Sequence, residues 1–136
     1  MNRTYVITGA GSGIGAATAK ALKDLGNIVI GVDLKNSDIE ADLSTPLGRH
    51  EGAKKVIEAT NGSIDVVIAC AGLAHPIAQT VSVNYFGVTE FLFALLPTLS
   101  KSKTPRVAIT SSVASVMPNS LELVEAMCAN DEAKAV

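Results

Sequence analysis

A chain of 136 residues, 48% of them apolar, has the length of one globular domain and enough nonpolar side chain to fill one core. Its 11 basic and 13 acidic residues leave a net charge of −2 without any block of like charge. That excludes the basic footprint of a nucleic-acid binder and favours a small-molecule partner.

In chain order, Tyr5 to Thr8 is a β-prone run that meets glycines, after which Ile14, Ala17, Ala21, Leu22 and Leu25 recur at helical spacing. Gly26 suits the end of that helix, and Asn27 to Val32 is a second apolar run closing on Asp33, which completes one βαβ unit. Ile39 to Leu43 reads as a short third strand. Thr45 then caps a helix with Pro46 at its first position, Leu47, Ala53, Val56 and Ile57 on its buried face, and Asn61-Gly62 at its end. Val66 to Cys70 is apolar on both faces, as a central parallel strand must be. A long helix from about Val81 to about Ser100 and a fifth strand, Val107 to Ser111, follow. Met117 to Val136 is helix-compatible, with Leu121, Leu123, Val124, Ala126 and Met127. The alternation predicts an α/β, Rossmann-type, doubly wound parallel sheet in one domain spanning residues 1–136.

Cys70 and Cys128 lack metal-ligand spacing and read as buried free thiols of a reducing compartment; His50 and His75 read as surface histidines, and no metal site is expected. The run after Met1 is too short for a signal-peptide core, and Val66 to Ala74, the longest uninterrupted apolar stretch, is well short of a membrane span. A cytoplasmic protein is expected.

The chemistry begins at Thr8-Gly9-Ala10-Gly11-Ser12-Gly13-Ile14-Gly15, where the first strand hands over to the first helix. Glycines let backbone approach a pyrophosphate, and the free N–H groups and dipole of the helix stabilise its charge. A glycine cluster alone is equally a tight turn; the flanking strand and helix favour dinucleotide binding. Gly11, Gly13 and Ala16 fit the GxGxx(G/A) register, but the strand ends at Thr8, which favours TGxxxGxG on Thr8, Gly9, Gly13 and Gly15. In that register the chain resembles the short-chain dehydrogenase/reductase family as far as about Ser115.

Asp33 lies twenty residues after Gly13, where a carboxylate accepts hydrogen bonds from the adenosine ribose and repels a 2′-phosphate. NAD is therefore the expected cofactor. The other reading of Asp33 is a solvated strand-end aspartate, and Lys35 nearby reads as a solvated loop charge. The resemblance implies further roles. Asp42 and Leu43 match the pair beside the adenine, although a surface aspartate before a helix fits almost as well. Ala71 and Gly72 keep half of the family's NNAG, with Cys70 replacing an asparagine. Asn84, in Val83-Asn84-Tyr85-Phe86-Gly87, matches the asparagine of a proton relay; without the family it reads as bonding helix backbone. Ser112, in Thr110-Ser111-Ser112-Val113-Ala114-Ser115, matches the serine that meets the substrate oxygen, while Ser111 and Ser115 read as turn formers.

Several runs, among them Ala41-Asp42-Leu43-Ser44-Thr45 and Val81-Ser82-Val83-Asn84-Tyr85-Phe86-Gly87, resemble the bacterial hydroxysteroid dehydrogenase branch of that family. The resemblance implies an enzyme that oxidises a steroid 3α-hydroxyl or another secondary alcohol, or reduces the ketone, and forms a homo-oligomer when full length. It also implies a tyrosine four residues before a lysine, which is absent: Tyr5 is followed at that offset by Gly9 and Tyr85 by Thr89. A truncation, a fragment or the ordered part of a longer protein is the expectation that follows. The alternatives are a non-catalytic NAD-sensing domain and an S-adenosylmethionine-dependent methyltransferase; Thr8, where such methyltransferases carry an acidic residue, speaks against the latter.

Overall fold

The computed structural model describes residues 2–136. Its strands are β1 (Thr4–Thr8), β2 (Ile28–Asp33), β3 (Ile39–Glu40), β4 (Val66–Ala69) and β5 (Arg106–Ile109). They form one sheet in the order β3-β2-β1-β4-β5, every neighbouring pair parallel. In this register Val6 lies opposite Ile30 on one side and Val67 on the other. The chain winds outward from β1 to β3 and then returns to the other side of β1. The connections that follow β1 and β4 consequently lead to opposite faces of the sheet, and a crevice opens at the switch point.

The helices are α1 (Gly13–Asp24), α2 (Pro46–Ala59), α3 (Ala78–Val81), α4 (Gly87–Leu99), α5 (Leu121–Cys128) and α6 (Glu132–Ala135). Side chains alternate across β1: Val6 joins a core with α2 and α4 that includes Val56, Phe91 and Leu95, whereas Ile7 joins a smaller one with Ala19 of α1 and Val29. Phe91 and Leu95 are fully buried, each contributing roughly 1.5–3 kcal/mol. The α1 face is thin because its buried residues are Gly15 and Ala19, whose small size lets helix backbone lie close to the sheet. Of the expected apolar stripe only Leu22 packs against this smaller core, whereas Ile14 is 69% and Leu25 77% exposed.

Other expectations shift for identifiable reasons. The third strand is two residues long because the Asp42 carboxylate turns the chain, accepting from both the N–H and the hydroxyl of Ser44. Thr45 does cap α2, its hydroxyl accepting from the Gly48 N–H at 3.0 Å. The buried face of that helix, however, carries Arg49, and Leu47 is exposed. The long helix starts at Ala78, and Ser82–Phe86 forms a π-helical turn between α3 and α4. Ala78–Leu99 is long and apolar enough to span a membrane by length and composition alone, a test that the core helix of a globular domain also passes; here Phe91, Leu95 and Leu99 are packed into the core against the sheet. The last stretch is two helices, separated at Asn130, where φ is 55°. Neither thiol is buried: Cys70 is half-buried just beyond the covered part of β4, and Cys128 at the end of α5 is exposed. β5 pairs with β4 alone, and all four of its residues are exposed, Val107 and Ile109 among them.

Candidate functional site

At the switch point the backbone turns tightly. Gly9 has φ 70°, and a Cβ there would come within 2.7 Å of the Ala71 nitrogen, so the loops after β1 and β4 touch at this residue. A Cβ on Gly15 would stand 2.1 Å from the Gly9 carbonyl oxygen, which presses the first turn of α1 onto the glycine loop. Thr8 holds the arrangement from beneath: its buried hydroxyl accepts from the Cys70 and Ala71 N–H groups at 3.2 and 3.1 Å.

The amino end of α1 is left open. Ser12 precedes it with extended backbone and makes no side-chain cap, in contrast to Thr45 on α2 and Ser120 on α5. The unpaired N–H groups of the first turn and the positive end of the helix dipole thus face the cleft. The Asp33 carboxylate, at the end of β2, accepts from the Gly11 N–H at 2.9 Å and from the Leu34 N–H at 2.6 Å. It folds the glycine loop against the strand end and keeps lone pairs for a ligand.

A cleft of about 500 Å³ runs across these elements. It is lined by Gly9, Ser12, Gly13, Ile14, Gly15, Asp33, Asp42, Leu43, Ala71 and Gly72 of the expected residues. Thr8 and Gly11 are outside the lining but bond to residues in it, the Thr8 hydroxyl accepting from the Ala71 N–H and the Gly11 N–H donating to Asp33. Cys70, expected as core packing, lines the cleft instead, and its sulfur accepts from the Thr110 hydroxyl at 3.3 Å. Leu34, Ala41, Leu73, Gln79 and Val83 join the lining without having been foreseen, since each depends on how a loop folds back.

Asn84 and Ser112 lie outside that lining. Asn84 sits in the π-helical turn, accepting from the Leu73 N–H at 2.8 Å and donating to the Leu73 carbonyl at 2.9 Å. Its carboxamide therefore holds the loop after β4 and not the neighbouring helix backbone. Ser112 is exposed and caps the 3₁₀ turn Val113–Val116, its hydroxyl accepting from the Ala114 N–H at 3.2 Å. The hydroxyl proton is free to be donated. His50 and His75 are exposed, and the described residues contain no cluster suited to a metal ion.

Arg49 is the residue that periodicity hid. Its guanidinium is 2% exposed behind the Asp42–Ser44 turn and grips both carboxylate oxygens of Glu132, each at 2.6 Å, and Glu90 at 2.9 Å. The hydrogen bond from Arg49 holds the Glu132 carboxyl below the usual carboxylate range, although its own burial pushes the other way. For Arg49, desolvation opposes the charge, but the bonds to Glu132 and Glu90 outweigh it and raise its affinity for the proton. A depressed carboxyl stabilises the fold above its unfolded pKa of about 4.3 and loses that contribution as pH falls through the folded value. The melting temperature of the chain should accordingly exceed that of Glu132→Gln near about pH 7, and the gap should close below about pH 4. A gap that stays constant over that range would exclude Glu132 ionisation as its source.

Residues 3–124 match the short chain dehydrogenase family. The chain belongs to it. It is 41% identical, over 96% of its length, to 3-alpha-hydroxysteroid dehydrogenase/carbonyl reductase of Comamonas testosteroni, and covers 52% of that protein. Coniferyl-alcohol dehydrogenase of a Pseudomonas species is 35% identical over 70% of this chain, which covers 39% of that protein. Among solved structures, the 3-alpha-hydroxysteroid dehydrogenase of Pseudomonas sp. B-0831 complexed with NADH superposes with a TM-score of 0.92 at 43% identity, covering 97% of this chain and 58% of that one. The chain thus spans about half the length of the curated relatives it matches. Family membership removes the methyltransferase alternative.

Proposed function

We propose that residues 1–136 are one dinucleotide-binding domain, the amino-terminal part of a short-chain dehydrogenase, which holds NAD(H) for hydride transfer to or from a secondary alcohol or ketone. The observation that carries this reading is the uncapped end of α1 opening on a cleft whose rim bears Asp33. The N–H groups of Ser12, Gly13, Ile14 and Gly15 suit a pyrophosphate. Asp33 would accept from the ribose hydroxyls, Asp42 from the adenine amino group, with Leu43 beside the ring. Ala71 and Gly72 leave room for backbone beside the nicotinamide ribose. Bound NAD supplies or accepts the hydride. Ser112 would donate its hydroxyl proton to the substrate oxygen, and Asn84 would hold the relay side of the site in place.

A steroid 3α-hydroxyl, or the matching ketone, is the substrate class we favour, supported by the two hydroxysteroid dehydrogenases that resemble the chain over nearly all its length. Titration of the chain with NADH and NADPH, read by nucleotide fluorescence, tests the cofactor assignment. NADH should bind at least about tenfold more tightly, because a 2′-phosphate beside Asp33 meets like charge. Equal affinities would overturn the assignment.

A further inference from the structure

An arginine is almost never fully buried unless every donor finds an acceptor. Arg49 meets that condition by joining three separate pieces of chain. Its Nε donates to the Leu43 carbonyl at 2.8 Å, and its Nη2 donates to the carbonyls of Ser44 at 3.2 Å and Ser82 at 3.0 Å. The remaining donors go to Glu132 and Glu90, and the guanidinium lies 5.9 Å from the centre of the Phe86 ring. Leu43 lines the cleft, and Ser82 precedes Val83, which lines it too. The turn beside them has no slack. A Cβ on Gly48 would come within 1.9 Å of the Asp42 carbonyl oxygen, and one on Gly87 within 3.0 Å of the Leu43 carbonyl oxygen.

The third piece is the weakly held one. Within the α5–α6 segment Ala126 is the buried residue, and α6 has only four residues, so the bidentate pair of Glu132 with Arg49 supplies much of its anchorage. Few buried contacts place such a segment at the low-stability end of the fold. Were Glu132 to leave, Arg49 would keep Glu90 but lose its two shortest bonds. A buried cation with reduced compensation is costly, and the side chain would relax toward solvent, drawing its Nε and Nη2 away from Leu43 and Ser44.

We propose that Arg49 is a positioning residue for nucleotide binding: its fork on Glu132 couples the docking of the α5–α6 segment to the shape of the Asp42–Ser44 turn at the adenine end of the cleft. This rests on the reading of the cleft as a nucleotide site. Coupling of this kind is reciprocal, so a nucleotide that orders the turn also favours the docked segment.

The test uses the full chain, Glu132→Gln and Arg49→Lys, with AMP and nicotinamide mononucleotide as separate probes at a temperature where melting curves show each protein folded. Both substitutions should weaken AMP by about fivefold or more and leave nicotinamide mononucleotide unchanged. The double substitution should cost no more than the worse single one, since all three break one contact. Saturating AMP should slow amide hydrogen exchange across Leu121–Ala135 in the parent and not in Glu132→Gln. Variants that melt lower yet bind AMP as tightly as the parent, or that lose both probes equally, would show a merely structural clasp and overturn the proposal. A parent that binds neither AMP nor NADH would overturn the nucleotide reading and the proposal with it, whereas tight binding by parent and variants alike would sink the proposal alone.

Discussion

Residues 1–136 expressed by themselves should bind NADH yet show turnover of a 3α-hydroxysteroid lower by about a hundredfold to ten-thousandfold than a form carrying the tyrosine and lysine of the family, the usual contribution of positioned acid–base catalysis. Ser112 has a free hydroxyl proton and can orient an oxygen, but an alcohol without an adjacent base or cation is a poor proton carrier near neutral pH. Neither tyrosine present can substitute. Tyr85 is followed four residues on by Thr89 and packs edge-on against Phe86 at 5.1 Å, and Tyr5 lies within β1. The same chain should self-associate, because Val107 and Ile109 stand exposed on a parallel edge strand that invites pairing. Following NADH absorbance with a 3α-hydroxysteroid, beside light scattering for size, checks both parts. A monomeric 136-residue product with turnover matching the extended form would defeat both arguments.

Asp33→Ala should weaken NADH by about tenfold to a hundredfold and abolish discrimination against NADPH. A charge-assisted hydrogen bond to the ribose is worth about 1.5–3 kcal/mol, and every 1.4 kcal/mol is about tenfold. The structure adds a second cost, since the Asp33 carboxylate also accepts from the Gly11 and Leu34 N–H groups and so fixes the glycine loop. Asp33→Asn separates the two. Its amide oxygen can still accept from Gly11 while the charge is gone, so the loop should survive, discrimination against NADPH should fall, and NADH should weaken less than in the alanine variant. Fluorescence titration of both variants with both nucleotides decides it; unchanged NADH affinity in Asp33→Ala would remove the carboxylate from the site.

The parallel sheet followed from the alternation of strands and helices along the chain. Composition and local pattern were enough for the strand–glycine turn–helix unit and the capped start of α2, because each follows from contacts within a few residues: Thr45 bonds Gly48, and the β1 run stops where glycine begins. The glycine turn between β1 and α1 was legible for the same reason. Its physical necessity was not, since the 2.1 Å approach of a Gly15 Cβ to Gly9 exists only once α1 has folded back on the loop. Ala53, Val56 and Ile57 of α2 pack as their spacing indicates, but tertiary structure decided which further residues of α1 and α2 lie inside. Ile14 and Leu47 carry the apolar signal yet face outward, while Gly15, Ala19 and Gly52 lie inside, because the sheet selects small residues where helix backbone comes close. It also decided that Arg49, whose charge marks it as surface on any hydropathy pattern, is buried by Glu132, a partner 83 residues away. Periodicity reports on neighbours along the chain, and the energy that buries a charge comes from a partner it cannot see.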